Sequence, residues 1–96
     1  MAVITVQTKF QDDGWVFEVE VAEGDSRTSH TVVMTKDAYQ RLTGGACPPE
    51  ECVRHSFEFL LEREPKESIL RKFDITRIGY YFPEYEKALI RRIQGR

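Results

Sequence analysis

Apolar and polar positions alternate along the first third of the chain, and the spacing then lengthens from two residues to between three and four. The alternation is clearest from Trp15 to Val21, where Trp15, Phe17, Val19 and Val21 fall on one side and Glu18 and Glu20 on the other. That period of two is the signature of a strand with one buried face. Val3 to Phe10 reads V-I-T-V-Q-T-K-F, rich in β-branched residues, and predicts a strand over about 2–10. Ser26 to Met34 alternates more weakly, with Thr28, His30, Val32 and Met34 on one side. The turn segments Gln11-Asp12-Asp13-Gly14 and Glu23-Gly24-Asp25 between these runs are short. Strands at about 2–10, 14–22 and 26–34 joined by short turns make a three-stranded antiparallel meander, with Gly14 supplying a cheap positive φ at the first turn.

Helical spacing takes over from Thr35, a natural N-cap for a helix over 36–43 with Tyr39 and Leu42 inward and Gly44-Gly45 as its stop. Pro48-Pro49 open a longer helix over 49–63, whose Val53, Phe57, Leu60 and Leu61 make the apolar stripe. Pro65 ends it and begins another over 66–73, with Ile69, Leu70 and Phe73 inward. Asp74 reads as the cap of a helix over 75–81, and Pro83 opens a last one over 84–94, in which Tyr85, Leu89 and Ile93 share a face. Glu84 and Glu86 stand at the start of that helix and Lys87, Arg91 and Arg92 further along, which suits the helix dipole. The expectation is one α+β domain over residues 1–96, a meander packed against C-terminal helices.

Composition narrows the function classes. With 14 basic and 16 acidic side chains the net charge is −2, so no global field draws in nucleic acid or an anionic membrane. No apolar run is long enough to span a bilayer, and the N-terminus lacks the layout of a signal peptide. Cys47 and Cys52, without an export signal, read as free thiols in a cytoplasmic compartment.

The candidate chemistry is thin. Cys47, Cys52, His55 and His30 are the residues that a metal or a thiol–imidazole pair would use, and Cys52 and His55 are three apart on one helix. C-x4-C-x2-H is not a standard zinc spacing, and Glu51, Glu58 and Glu62 surround His55 at helical distances, which fits an ion-paired surface histidine. Glu18 and Glu20 belong to the wet face of a strand, and no nucleophile elbow, phosphate loop or dinucleotide fingerprint is present. No catalytic residue, metal or cofactor is assigned. A nucleic-acid reading would use Lys87, Arg91, Arg92 and Arg96, aided by Arg71-Lys72 and Arg77, with tyrosines for stacking; acids intervene throughout. What stands out instead is Gly79-Tyr80-Tyr81-Phe82-Pro83-Glu84-Tyr85. Tyrosine suits sites with one dry and one wet end, so Tyr80, Tyr81 and Tyr85, together with Trp15, are the candidate partner-binding residues.

From about Pro49 to Ile90 the chain resembles a group of small prokaryotic proteins without an assigned activity. The resemblance is carried by Ser56-Phe-Glu-Phe-Leu-Leu-Glu-Arg-Glu-Pro-Lys-Glu-Ser-Ile-Leu70 and Phe73-Asp-Ile-Thr-Arg-Ile-Gly-Tyr-Tyr-Phe-Pro-Glu-Tyr85. It implies no catalytic residue. The order of a small antiparallel sheet followed by a helix opening at Pro49-Glu50-Glu51-Cys52-Val53 is also similar to antitoxins of the HicB kind, a topological analogy only.

The reading that follows is a non-enzymatic interaction or regulatory module with a protein partner, or a homodimer that covers one of the two sheet edges. The alternatives are an antitoxin-like nucleic-acid regulator using the C-terminal bases, and a small thiol or metal enzyme built on Cys52 and His55.

Overall fold

The computed structural model describes residues 2–95. Three strands, β1 (Val3–Gln11), β2 (Gly14–Glu23) and β3 (Ser26–Thr35), form the antiparallel meander through two-residue turns. Helices α1 (Lys36–Thr43) and α2 (Pro49–Leu61) follow, then a 3-10 turn (Lys66–Ser68), a short strand β4 (Lys72–Asp74), and helices α3 (Arg77–Tyr81) and α4 (Tyr85–Gln94). The sheet order is β1-β2-β3-β4, with β4 parallel to β3. No helix among the described residues is long and apolar enough to cross a membrane.

The alternation in the sequence becomes the two faces of this sheet. Phe17, Val19 and Val21 of β2 and Val32 and Met34 of β3 are buried under the helices, while Glu18 and Glu20 stand on the open face. Glu18 accepts a hydrogen bond from the Thr31 hydroxyl there, and Glu20 pairs with Arg27. Thr35 caps α1 by accepting the Ala38 N–H at 3.0 Å, and Gly44 closes it at φ 61°. Both ends of α1 therefore follow from local chemistry alone.

Gly14 has a different role from the one its turn position suggests. Its φ is not positive; instead a Cβ there would lie 2.2 Å from the Met34 carbonyl oxygen. The glycine is needed because the start of β2 passes against the end of β3, where Lys36 N–H also bonds the Asp13 carbonyl.

The helix expected over 66–73 does not form. A single 3-10 turn is followed by extended chain, and Phe73 pairs in register with Val32. The outward backbone groups of β3 decide this: Thr31 N–H donates to the Arg71 carbonyl and Ile75 N–H to that of Val33. A helix would have left those edge groups unpaired. Lys66, side-chain buried, anchors the 3-10 turn by ion pairs to Glu67 (2.6 Å) and to Glu23 (3.5 Å) in the β2–β3 turn. Asp74 ends the strand, and its carboxylate accepts from the N–H and hydroxyl of Thr76, so α3 starts at Arg77 rather than at 75.

Helix α2 buries two stripes. Of the expected stripe, Val53, Phe57 and Leu60 are buried and Leu61 is only partly so; Cys52, Ser56 and Phe59 are buried as well. Phe57 meets Phe73 and His30 from the sheet side, and Phe59 meets Phe82 and Tyr85 from the C-terminal side. Helix α2 is thus wedged between the sheet and α4, which is why it carries more large apolar side chains than one stripe requires.

Candidate functional site

Where α2 ends, the chain turns through Glu64, Ser68, Ile69 and Leu70 before entering β4, and α3 then returns above that segment. The three elements leave an open groove of about 480 Å³. Its floor is Leu60, Ile69, Phe73 and Ile78, all core residues. Its walls are Leu70, Tyr81 and Phe82, with Glu64 and Arg77 as the charged members. Leu70 is 46% exposed and Tyr81 60%, although both are large apolar or amphipathic side chains. The backbone at Ile69 is extended, and adjacent residues in such chain point to opposite sides: Ile69 is buried in the groove floor while Leu70 turns out toward solvent at its wall. Burial raises the Glu64 carboxyl above the ordinary range, and no cation pairs with it among the described residues.

The aromatic block does not act as one surface. Tyr80, 82% exposed, stands over a separate hollow with Arg41, Thr76, Gly79, Pro83, Glu86 and Lys87. Tyr85 lies in the core at 1% exposure, which removes it from the partner-binding set. Its hydroxyl is 2.7 Å from Ser56 Oγ. Ser56 has one proton and gives it to the Cys52 carbonyl at 2.7 Å, so the Tyr85 O–H donates to Ser56. Burial drives the Tyr85 phenol strongly upward, and it stays protonated. Trp15 is half-buried against Tyr39 in an edge-on contact at 5.2 Å, away from the groove. Of the four candidates, Tyr81 alone reaches the groove.

The thiol and imidazole groups are dispersed. Cys52 is fully buried with its sulfur 3.9 Å from that of Met34, and burial pushes the thiol up to about 12. At neutral pH it is protonated and out of contact with solvent, the opposite of a nucleophile's environment. His55 sits between Glu58 at 3.2 Å and Glu51 at 3.9 Å on the outside of α2. His30 is buried; its Nδ1 donates to the Leu70 carbonyl at 2.8 Å and its Nε2 meets the Thr28 hydroxyl at 2.8 Å. Desolvation lowers the His30 pKa, opposed by the hydrogen bond to Leu70. Cys47 is half-buried and unbridged, its pKa raised chiefly by burial. No three metal-ligating side chains converge among the described residues.

Of the C-terminal bases, Arg92 is the one answered by acids among the described residues. Arg92 pairs with Glu62 and, at 3.6 Å, with Glu58; its hydrogen bond holds the Glu62 carboxyl below the usual range. Arg41 pairs with Glu86 at 2.6 Å, and Arg63 bridges to Glu84 at 3.0 Å while lying over the Phe59 ring. Lys87 and Arg91 are exposed and carry no ion pair among the described residues, with Glu84 and Glu86 close to them in sequence. Arg96 lies outside the described residues.

Leu70 and Glu64 were not singled out as site residues by sequence, and Arg77 was named only for a nucleic-acid surface. Leu70 looked like one more inward residue of a helix, and only the extended backbone at 69–70 turns it outward. No family model matches the chain, and no curated protein or solved structure matches it.

Proposed function

We propose that this chain is a non-enzymatic interaction module that holds an apolar segment of a protein partner in the groove between α2, β4 and α3. One observation carries the reading: Leu70 and Tyr81 are left exposed above a floor of four core residues. An apolar concavity with a few polar groups at its margin is the common form of a recognition site. Tyrosine in the wall offers area at small entropic cost, and Glu64, half-buried and without a cation among the described residues, favours a partner with a basic residue beside its apolar anchor. The groups that chemistry would need are engaged elsewhere: His30 and Tyr85 in buried hydrogen bonds, Cys52 in the core.

The test places a photoreactive phenylalanine analogue at position 81, and separately at position 80, in the full chain within the producing cell. The expected result is one protein adduct from position 81 that is absent from position 80 and lost on Leu70→Glu. Equal adducts from both positions, or an adduct from position 81 that survives Leu70→Glu, would refute the groove as the site.

A further inference from the structure

Strand β1 is the long uncovered edge of the sheet. The opposite edge, β3, is closed over Thr31–Val33 by β4. The turn pairing of Gln11 with Gly14 fixes which groups of β1 face β2. Odd-numbered residues bond to β2, so the N–H and C=O groups of Ile4, Val6, Thr8 and Phe10 point outward. The Ile4 carbonyl confirms this direction, since it accepts from Arg54 of α2 rather than from β2. Natural edge strands are usually blunted by proline, bulges, shortness or several charges. Strand β1 is nine residues long, contains no proline or glycine, pairs without a bulge and carries one charge, Lys9.

Two side chains on this strand lack a purpose within one copy. Phe10 is 82% exposed although it lies on the helix-side face. Lys9, on the open face, has no ion-pair partner among the described residues.

We infer that β1 pairs antiparallel with β1 of a second copy, about a two-fold axis at Gln7, to give a continuous eight-stranded sheet. In the register of full overlap, residues whose numbers sum to 14 face each other. Ile4 then meets Phe10, Val6 meets Thr8, and Thr5 meets Lys9. All the facing even-numbered pairs are those whose backbone groups point outward, so the register that uses the whole strand is also the one in which its hydrogen bonds form, the Ile4 carbonyl sharing its two lone pairs between Arg54 and the Phe10 N–H of the other copy. Phe10 of each copy gains an apolar neighbour in Ile4 and lies beside Arg54 of the other copy. No like charges face each other. Lys9 of each copy stands across Thr5 from Glu20, which is the β2 partner of Thr5. Two strand spacings of ~4.8 Å put those backbones roughly 10 Å apart, within joint reach of a lysine and a glutamate. The second copy is favoured over an unrelated extended peptide because Phe10 meets Ile4, Lys9 comes within reach of Glu20, which Arg27 shares, and no like charges are set opposite one another.

This surface is separate from the groove, and its test is independent of it. Gln7→Cys is made in a Cys47→Ser background of the full chain. At the axis, facing residues of a non-hydrogen-bonded pair lie about 4.5 Å apart between Cα atoms, within disulfide range. The expected result is a covalent dimer under mild oxidation from Gln7→Cys. Thr5→Cys gives none, because its two copies are roughly 14 Å apart along the strands. Phe10→Lys, at a position the fold of one copy does not use, is expected to raise the dimer dissociation constant in sedimentation about tenfold or more while leaving circular dichroism unchanged. A monomer in sedimentation up to about 1 mM, at the weak limit of specific affinity, would overturn the inference. So would a dimer that cross-links through Thr5→Cys and ignores Phe10→Lys, or a β1 edge found occupied by a strand from a different protein.

Discussion

Ser56→Ala isolates the interaction that joins α4 to α2. The Tyr85 hydroxyl donates to Ser56 Oγ inside the core, and removing that acceptor leaves a buried phenolic O–H with no partner. Stranding a buried donor costs about 1–3 kcal/mol. Alanine returns roughly 0.5 kcal/mol as the better helix former at this position. The net loss is therefore about 1.5 kcal/mol, and in a chain of this size each kcal/mol moves the melting temperature by roughly 4–8 °C. Ser56→Ala is expected to melt roughly 6–12 °C below the parent. Tyr85→Phe alone costs less, about 1 kcal/mol, because Ser56 still donates to the Cys52 carbonyl and keeps one bond. The decisive measurement is the double variant by urea and thermal unfolding. With the phenolic oxygen gone, the Ser56→Ala site holds nothing unsatisfied, so adding Tyr85→Phe to Ser56→Ala should raise stability. If the two losses instead add, the hydroxyl pair does not behave as a coupled unit and the assignment of donor and acceptor is wrong.

Other outcomes follow from the same structure. Thr8 Oγ1 is buried without a hydrogen-bond partner among the described residues, so Thr8→Val, nearly isosteric, is expected to stabilise by about 1 kcal/mol in urea unfolding; a loss would mean the hydroxyl is satisfied. His30 has a folded pKa below its ordinary value of 6.5, so the unfolded chain binds the proton more readily. Its contribution to stability is complete above that value and falls as pH drops from about 7 toward the lowered folded pKa. Urea midpoints of the parent should thus decline between pH 7.5 and about 5.5, and the slope should flatten in His30→Gln; an unchanged slope would exclude His30 as its source. Cys47, half-buried, is expected to react with an aromatic disulfide reagent in the native protein at pH 8, and Cys52 only on unfolding. Prompt titration of both thiols would contradict the packing of Cys52 against Met34.

The legible parts of this fold are those set by short-range spacing. Trp15 to Val21 alternates because one strand face is dry, and Thr35 and Gly44 mark the ends of α1 by capping chemistry contained within a few residues. Strand β4 was not legible. Ile69, Leu70 and Phe73 fit a helical spacing as well as they fit a bend into extended chain. What decides between them is a row of backbone groups on β3, some forty residues away in sequence. The same limit applies to the groove, since the exposure of Leu70 depends on that long-range pairing. Tyr85 was legible in one respect and misread in another. Its spacing with Leu89 marks the buried face of α4, whereas its place in a run of aromatics suggested a surface, and the helical stripe prevails.

The late position of β4 in the chain sets the order in which the sheet can be completed. The β1–β2 and β2–β3 ladders join only close sequence neighbours, and such local contacts form early. The partner for Thr31–Val33 arrives only with Lys72–Asp74, after α1 and α2 have been made. During synthesis from the N-terminus the nascent sheet therefore carries two open borders. The border at β3 is sealed only when the final third of the polypeptide emerges, and until then it too is open to a chaperone or to a stray strand.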